Sequence, residues 1–299
     1  MVKELFKAIR LNNLFILGVI FATIELFFIF KTTAKPIQLN GLLIYLCVLL
    51  TSASGYVIND SFDKKSDQLN FKLNKTTLSS KKLTLIAFIL AGLSIISSAI
   101  HFQRTFFLLN IFVLIGLFLY SWKIKHLPFF GNLLIGIFAG ICPLITYINH
   151  QEIQLLINEN TLTNKEINQL SIPFLLGIMA FLTTIAREII KDIEDYNGDK
   201  GVNSKTLPIL IGKSASKYFA LLFLFSIALC VLCFLLVKEN FLLSTTTFLS
   251  VITLLLIPIL ISIIKTIKAT NKTDYSKISA LIKFIFLSAN IVLLIHTFT

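Results

Sequence analysis

Charge is scarce in this chain. Asp, Glu, Lys and Arg make up 14% of its 299 residues, against roughly 25% in an average soluble domain. A soluble fold so poor in charge could not cover its surface with polar groups, so the bilayer is the expected solvent. Breaks are scarce too: 12 glycines and six prolines form no Pro-, Gly- or Ser-rich linker. A single membrane domain over residues 1–299 is therefore expected, with no soluble domain attached. Cysteine is limited to Cys47, Cys142, Cys230 and Cys233, all inside apolar runs. Cys230 and Cys233 form a C-x-x-C, but no further ligand accompanies them, which argues against a zinc or redox site. No extracellular cysteine framework exists, so disulfides are not expected. His101, His126, His150 and His296 are scattered, without metal-ligand spacing. Nothing shows the ten-residue alternation of a membrane barrel, which leaves helices as the spanning elements.

What the chain has in quantity is apolar length: 56% hydrophobic residues and a mean hydropathy of +0.86. A spanning helix takes about 20 mostly apolar residues. Such windows fall near 11–30, 40–58, 83–101, 104–121, 129–148, 171–190, 216–237, 242–264 and 279–298. The expected fold class is thus all-α, a polytopic membrane protein of about nine transmembrane helices. The basic start from Met1 to Arg10 resembles a signal peptide, but no small-residue cleavage site follows, and the first run is long enough to span. The polar stretch His150–Gln169 is expected to hold a short interfacial helix.

The net charge of +12 would suggest nucleic-acid binding in a soluble protein. Here the basic residues sit in short loops between spans. Of the 27 Lys and Arg, 22 fall on one face, leaving Lys31, Lys35, Arg104, Lys165 and Lys238 on the other. That bias places the N-terminus in the cytoplasm and the C-terminus outside, in a cytoplasmic membrane. No nucleic-acid partner is expected.

The acids are distributed more unevenly still. Eight of the 15 fall in two segments: Asp60, Asp63 and Asp67, then Glu188, Asp192, Glu194, Asp195 and Asp199. Each segment follows a span on the cytoplasmic face, and each contains D-x-x-D-x-x-x-D. On a helix, i, i+3 and i+7 share one face, where three carboxylates repel one another. A divalent cation removes that penalty. Magnesium typically takes one or two carboxylates plus water and phosphate oxygens, so the pair of clusters suggests Mg²⁺-bridged binding of a diphosphate. Four spans separate them, which returns the chain to the same side.

Several runs carry a family resemblance. Asn59-Asp60-Ser61-Phe62-Asp63-Lys64-Lys65-Ser66-Asp67 fits the N-D-x-x-D-x-x-x-D signature of UbiA-type intramembrane prenyltransferases. Arg187 to Asp199 resembles that family's second Asp-rich motif. Tyr120-Ser121-Trp122-Lys123-Ile124-Lys125 with Gly131-Asn132 is similar to its Y-S-x-x-L-K…G-N segment, and Lys205-Thr206-Leu207-Pro208 with Gly212 to its K-T-L-P…G segment. The resemblance implies nine helices around a central cavity. It implies transfer of a prenyl group from an allylic prenyl diphosphate, with Mg²⁺ held by Asp60, Asp63, Asp67, Asp192, Asp195 and Asp199. Lys125 and Arg187, then Lys191, are the implied phosphate contacts. Tyr120 is a further substrate-binding candidate, and Asn59 is expected to orient an aspartate or a ligand oxygen. One departure stands out. Where the family often has N-R-P-x-P-S-G, this chain has Asn74-Lys75-Thr76-Thr77-Leu78-Ser79-Ser80, which keeps a charge but loses arginine's bidentate fork.

The run from Arg187 through Asp199 most resembles the branch that alkylates geranylgeranylglyceryl phosphate in ether-lipid synthesis, so a lipid-phosphate acceptor is expected. An aromatic acceptor of quinone synthesis, such as 4-hydroxybenzoate or dihydroxynaphthoate, is the second reading. A transporter with cytoplasmic-side carboxylates is the third; transport sites usually lie near the bilayer midplane, whereas these carboxylates sit at span ends.

Overall fold

The computed structural model describes residues 2–31, 39–69, 76–100, 104–149, 168, 171–236 and 243–299. The interfacial helix expected over 150–169 lies outside them except for residue 168, and so does Lys75. All regular structure among the described residues is helical. Among the described residues, nine stretches are long and apolar enough to cross a membrane. They correspond one for one to the windows expected from hydropathy.

The helices are α1 (Val2–Ala8), α2 (Leu11–Lys31), α3 (Leu39–Leu69), α4 (Ser80–Ile100), α5 (Arg104–Trp122), α6 (Phe130–Ile141), α7 (Ile172–Glu194), α8 (Tyr196–Gly201), α9 (Leu207–Ile211), α10 (Lys213–Leu236), α11 (Thr245–Ser250), α12 (Ile257–Lys268) and α13 (Lys272–Phe298). The fifth span continues past α6 to Ile148, and α11 and α12 form one span. Between α11 and α12 the chain winds as a π turn from Val251 to Leu256. Pro258 follows in the first turn of α12; lacking an N–H, it leaves the carbonyl four residues earlier without its usual helical donor.

Two expected boundaries move. The second span, expected to end near 58, continues through the first acidic motif, because α3 runs unbroken for 31 residues, about 46 Å at helical rise. That exceeds a hydrocarbon core of about 30 Å, so the helix can carry its polar end out of the lipid. The second motif does break: α7 ends at Glu194, and α8 begins at Tyr196. Asn197 and Gly198 are poor helix formers. Asp60, Asp63 and Asp67 therefore lie on one continuous helix, whereas Asp192 lies on α7 and Asp199 on α8, with Asp195 between them.

The chain divides into two compact units. One comprises Met1–Val19, Ile37–Leu134 and Asp195–Ile209; the other comprises Ile20–Pro36, Ile135–Glu194 and Leu210–Thr299. In the first, α3, α4 and α5 are held by a buried polar network. Thr51 Oγ1 donates to Asn110 Oδ1 at 2.6 Å, and Asn110 Nδ2 donates to Ser94 and Ser98 at 3.0 and 3.1 Å. Hydrocarbon offers no other partner to these groups, so they hold the helices to one another. At the start of the chain, Ala8 packs into a cluster with Val57, Ile58, Leu83 and Ala87.

In the second unit, α7 is the central helix, with Ile185, Ala186, Ile189 and Ile190 fully buried. It approaches α6 closely: a Cβ on Gly177 would stand 2.6 Å from the Gly140 carbonyl oxygen. Asn271 and Asp274 close α13 with a reciprocal capping box, satisfying donors that a helix start otherwise leaves open.

Candidate active site

The site is legible in the first unit. Asn59, Asp60, Asp63 and Asp67 stand on the last turns of α3. Asp60 and Asp67 are buried, at 5% and 9% exposure, and bare carboxylates at such depth need compensation. Asp60 receives a bond from Arg10 Nη2 at 2.8 Å. Arg10 lies just past α1 in the left-handed region, φ 53°, with its guanidinium 5.0 Å from the centre of the Tyr56 ring. A non-glycine residue in that region stores strain that its surroundings must offset; here an ion pair and a cation–π contact hold it.

Asp63 is paired as well. Its Oδ1 accepts from Lys125 Nζ, its Oδ2 accepts from Asn59 Nδ2 at 2.7 Å, and Lys125 also donates to Asn59 Oδ1 at 3.3 Å. Asn59 thus bridges Asp63 and Lys125. Lys125 sits on a 3₁₀ turn, Ile124–His126, directly after α5. That turn is pressed against Gly131, where a Cβ would lie 2.8 Å from Lys125 Cα and 3.3 Å from the Tyr120 ring. Tyr120 is therefore placed beside the turn.

The 3₁₀ turn is also tied to the second acidic segment. Lys205 N donates to His126 O at 2.9 Å, and His126 Nδ1 stands 2.6 Å from Ser204 Oγ. Ser204 N in turn donates to Asp199 O at 3.0 Å. Asp199 lies in the first turn of α8, and Asp195 in the bend before it. A Cβ on Gly201 would meet Leu69 of α3 at 2.8 Å, so α8 rests directly on the helix that carries the first motif. Burial lowers the His126 pKa below the usual histidine value; Lys125 adds to this and Asp63 opposes it. The ring is therefore neutral at pH 7. Outside this core, Thr77 N donates to Glu4 Oε2 at 2.7 Å, which, with Lys7, brings the Glu4 carboxyl down to about 2.

Asp192, Arg187 and Lys191 belong to the second unit, on the last turns of α7. Arg187 Nη1 donates to Glu188 Oε1 at 2.9 Å, and Lys191 Nζ reaches the same oxygen at 3.4 Å. Arg187 Nε is buried without a hydrogen-bond partner, as is Thr206 Oγ1 in the K-T-L-P run. Among the described residues no three acidic, histidine or cysteine side chains are gathered around one point as metal ligands. Asp60 and Asp63 are each paired with a basic side chain.

The donor set nonetheless fits a hard cation. The carboxylates of the first unit, Asp60, Asp63, Asp67, Asp195 and Asp199, and the Asn59 amide oxygen are the ligand type magnesium takes, and Arg10 and Lys125 show that Asp60 and Asp63 accept positive charge. Two participants were missed from sequence. Arg10 was read only as a topology signal, and Glu188 only as one more acid. Neither has a spacing that announces its partner.

A multi-helix membrane protein whose helix ends carry paired acids and lysines is the class defined so far. Residues 16–289 match the UbiA prenyltransferase family, and the chain belongs to it. Over 187 residues it is 33% identical to the digeranylgeranylglyceryl phosphate synthase of Thermococcus kodakarensis, a match covering 62% of this chain and 61% of that one. The matched stretch is thus about three fifths of that relative's length. The fold is similar to a solved digeranylgeranylglyceryl phosphate synthase, with 23% identity, a TM-score of 0.65, and coverage of 99% of this chain and 98% of the other. It is also similar to a UbiA homologue from Archaeoglobus fulgidus solved with DMAPP and Mg²⁺, at 17% identity, TM-score 0.57, and coverage of 97% and 99%.

Proposed function

We propose that this protein is an intramembrane prenyltransferase. It moves a prenyl group from an allylic prenyl diphosphate to a lipid-phosphate acceptor, geranylgeranylglyceryl phosphate. Residues 1–299 act as one catalytic domain in the cytoplasmic membrane, with the N-terminus and the site on the cytoplasmic side. The observation that carries this reading is the packing of α8, with Asp195 before it and Asp199 on it, against the helix that bears Asp60, Asp63 and Asp67. The relatives' name supports the choice of acceptor, and the Archaeoglobus homologue bound to DMAPP and Mg²⁺ supports the donor and the ion.

Asp60, Asp63, Asp67, Asp192, Asp195 and Asp199 would hold magnesium. When bound, it neutralises the diphosphate and improves it as a leaving group. Lys125, Arg187 and Lys191 bind phosphate oxygens, and Asn59 keeps Asp63 in register. Tyr120 supports the turn that presents Lys125. The apolar helices exclude water while the carbon–oxygen bond to diphosphate breaks and the allylic carbon becomes cationic. The acceptor hydroxyl oxygen then attacks that carbon and gives up its proton to the released diphosphate, which leaves.

The test is diphosphate release by purified protein given geranylgeranyl diphosphate, Mg²⁺ and each acceptor in turn. Release that requires geranylgeranylglyceryl phosphate and stops with EDTA supports the proposal. Release only with an aromatic acid moves the protein to quinone synthesis. Ion flux in liposomes without diphosphate release would instead mark a transporter.

A further inference from the structure

At the end of α7 away from Asp192, the helix begins in a different environment. Its first residues, from Ile172 to Met179, line a cavity of about 50 Å³ in the second unit, with Val231, Val251, Leu255 and Leu293 among the other walls. Asp192 lies 13 residues further along the same helix, about 20 Å at helical rise, so the cavity and the α7 acid belong to opposite ends of one span.

The cavity has one incongruous wall. His296, on the last turns of α13, is 4% exposed, and neither of its ring nitrogens has a hydrogen-bond partner. One face of the ring stacks on Phe27, with centroids 5.9 Å apart and planes at 27°. The other polar lining residue, Thr247, already shares its hydroxyl with Ser244 and Thr299. A buried imidazole that leaves both a donor and an acceptor unmet is unfavourable in water and more so in hydrocarbon. A second irregularity lies on the same wall: Val251 and Leu255 belong to the π turn, a distortion that recurs at functional sites.

The walls restrict what can enter. No charged side chain lines the cavity, which disfavours an ionic headgroup. A water molecule is well held only by two to four polar partners, and here the imidazole stands nearly alone. A plain hydrocarbon would leave both nitrogens unpaired. A hydroxyl on such a chain can pair with one of them, because it can either donate to the bare nitrogen or accept from the N–H. We infer that this cavity binds the hydroxyl end of an apolar-chain alcohol, an isoprenoid or fatty alcohol or a glycerol lipid, with His296 as its hydrogen-bond partner. The volume accommodates the hydroxyl and the first carbons. The half-buried rim residues Leu175, Leu176 and Phe234 lead the remaining chain toward lipid. This site is independent of the prenyl-transfer reading.

The test uses a long-chain alcohol carrying a photoreactive diazirine, and the matching alkane without the hydroxyl, with purified protein in lipid nanodiscs. Labelled peptides containing Met179 or Val231 are quantified by mass spectrometry. The alcohol is expected to label them roughly tenfold more than the alkane, the value of one hydrogen bond of average strength. His296→Leu should bring the alcohol down to the alkane level, and His296→Gln should retain part of the preference. If His296→Leu does not fold, Ala289→Phe, which fills the cavity and leaves the imidazole in place, should abolish labelling by the alcohol. Equal labelling by alcohol and alkane, or unchanged labelling in His296→Leu and Ala289→Phe, would overturn the inference. Turnover does not enter this readout, so a failed assay of prenyl transfer leaves the result interpretable.

Discussion

Arg10 and Asp60 are fifty positions apart, yet the guanidinium stands 2.8 Å from the carboxylate. The contact places a cation from the start of the chain on a carboxylate proposed to hold magnesium. Arginine and metal therefore compete for Asp60. Arg10→Ala is expected to lower the stability of metal-free protein by about 1–3 kcal/mol, because it removes the ion pair from a buried carboxylate. The same change should tighten apparent Mg²⁺ affinity. Melting curves with and without Mg²⁺ read both effects: the deficit of the variant should shrink as Mg²⁺ is added. A deficit independent of Mg²⁺ would show that Arg10 and the ion do not share Asp60.

The second prediction concerns the acids themselves. Asp63→Ala and Asp195→Ala should abolish turnover, while insertion and size-exclusion behaviour stay those of the parent. Asp63 lies on α3, and Asp195 in the bend that opens α8, so the pair probes both motifs. Full turnover in either variant would remove that residue from the metal site.

Lys125 tests the phosphate side. Its amine is committed to Asp63 and Asn59, and both partners would turn toward the ion when magnesium binds. Lys125→Met, which keeps the stem and removes the charge, should weaken prenyl diphosphate binding about 10- to 100-fold, the worth of one charge-assisted hydrogen bond. Calorimetry with a non-hydrolysable diphosphate analogue measures it. Unaltered affinity would reduce Lys125 to a counter-ion of Asp63.

Much of this was legible in the residues. Hydropathy located all nine spans because lipid demands about 20 apolar residues of each, whatever their packing. The spacing of Asp60, Asp63 and Asp67 gave their shared face because α3 is regular there. The break in the second motif was not legible. Asp192, Asp195 and Asp199 have the identical spacing, but the helix is interrupted at Asp195, and the poor helix formers Asn197 and Gly198 carry no pattern that periodicity detects. Partners remote in sequence were equally hidden. Nothing near Arg10 points to Asp60, and nothing near His126 points to Ser204, because those pairings arise from tertiary packing.

His126 gives a pH dependence with a definite sign. Its folded pKa lies below the usual value of 6.5 because the ring is buried beside Lys125. The unfolded chain therefore binds the proton more readily than the folded one. The stability gained from the neutral ring is fully present above about 6.5 and is lost as pH falls below it toward the folded pKa. His126→Asn, which can still reach Ser204, should flatten that part of the stability profile. A profile unchanged between pH 7 and 5 would assign the acid sensitivity to other groups. Glu4 acts lower down: with its pKa at about 2 against 4.5, its contribution is lost only as pH falls below 4.5.

The turn that carries Lys125 supplies the last prediction. Gly131 faces the Lys125 backbone, and a Cβ there would stand 2.8 Å from Lys125 Cα. Backbone cannot swing aside as a side chain can, so Gly131→Ala must push the 3₁₀ turn away from α6. That shift moves Lys125 relative to Asp63 and strains the link from His126 to Ser204 and Lys205. Catalytic groups displaced by about 1 Å commonly lose on the order of 100-fold in rate. Gly131→Ala should therefore lower kcat strongly while the α3–α4–α5 packing, held by the Thr51–Ser94–Asn110 network, keeps the protein folded. Gly177→Ala makes the contrast. It meets the Gly140 carbonyl and Leu144, neither of them a proposed site residue, so its main effect should be on melting temperature. Equal losses of rate and stability in both variants would mean that the Lys125 turn has no special part in catalysis.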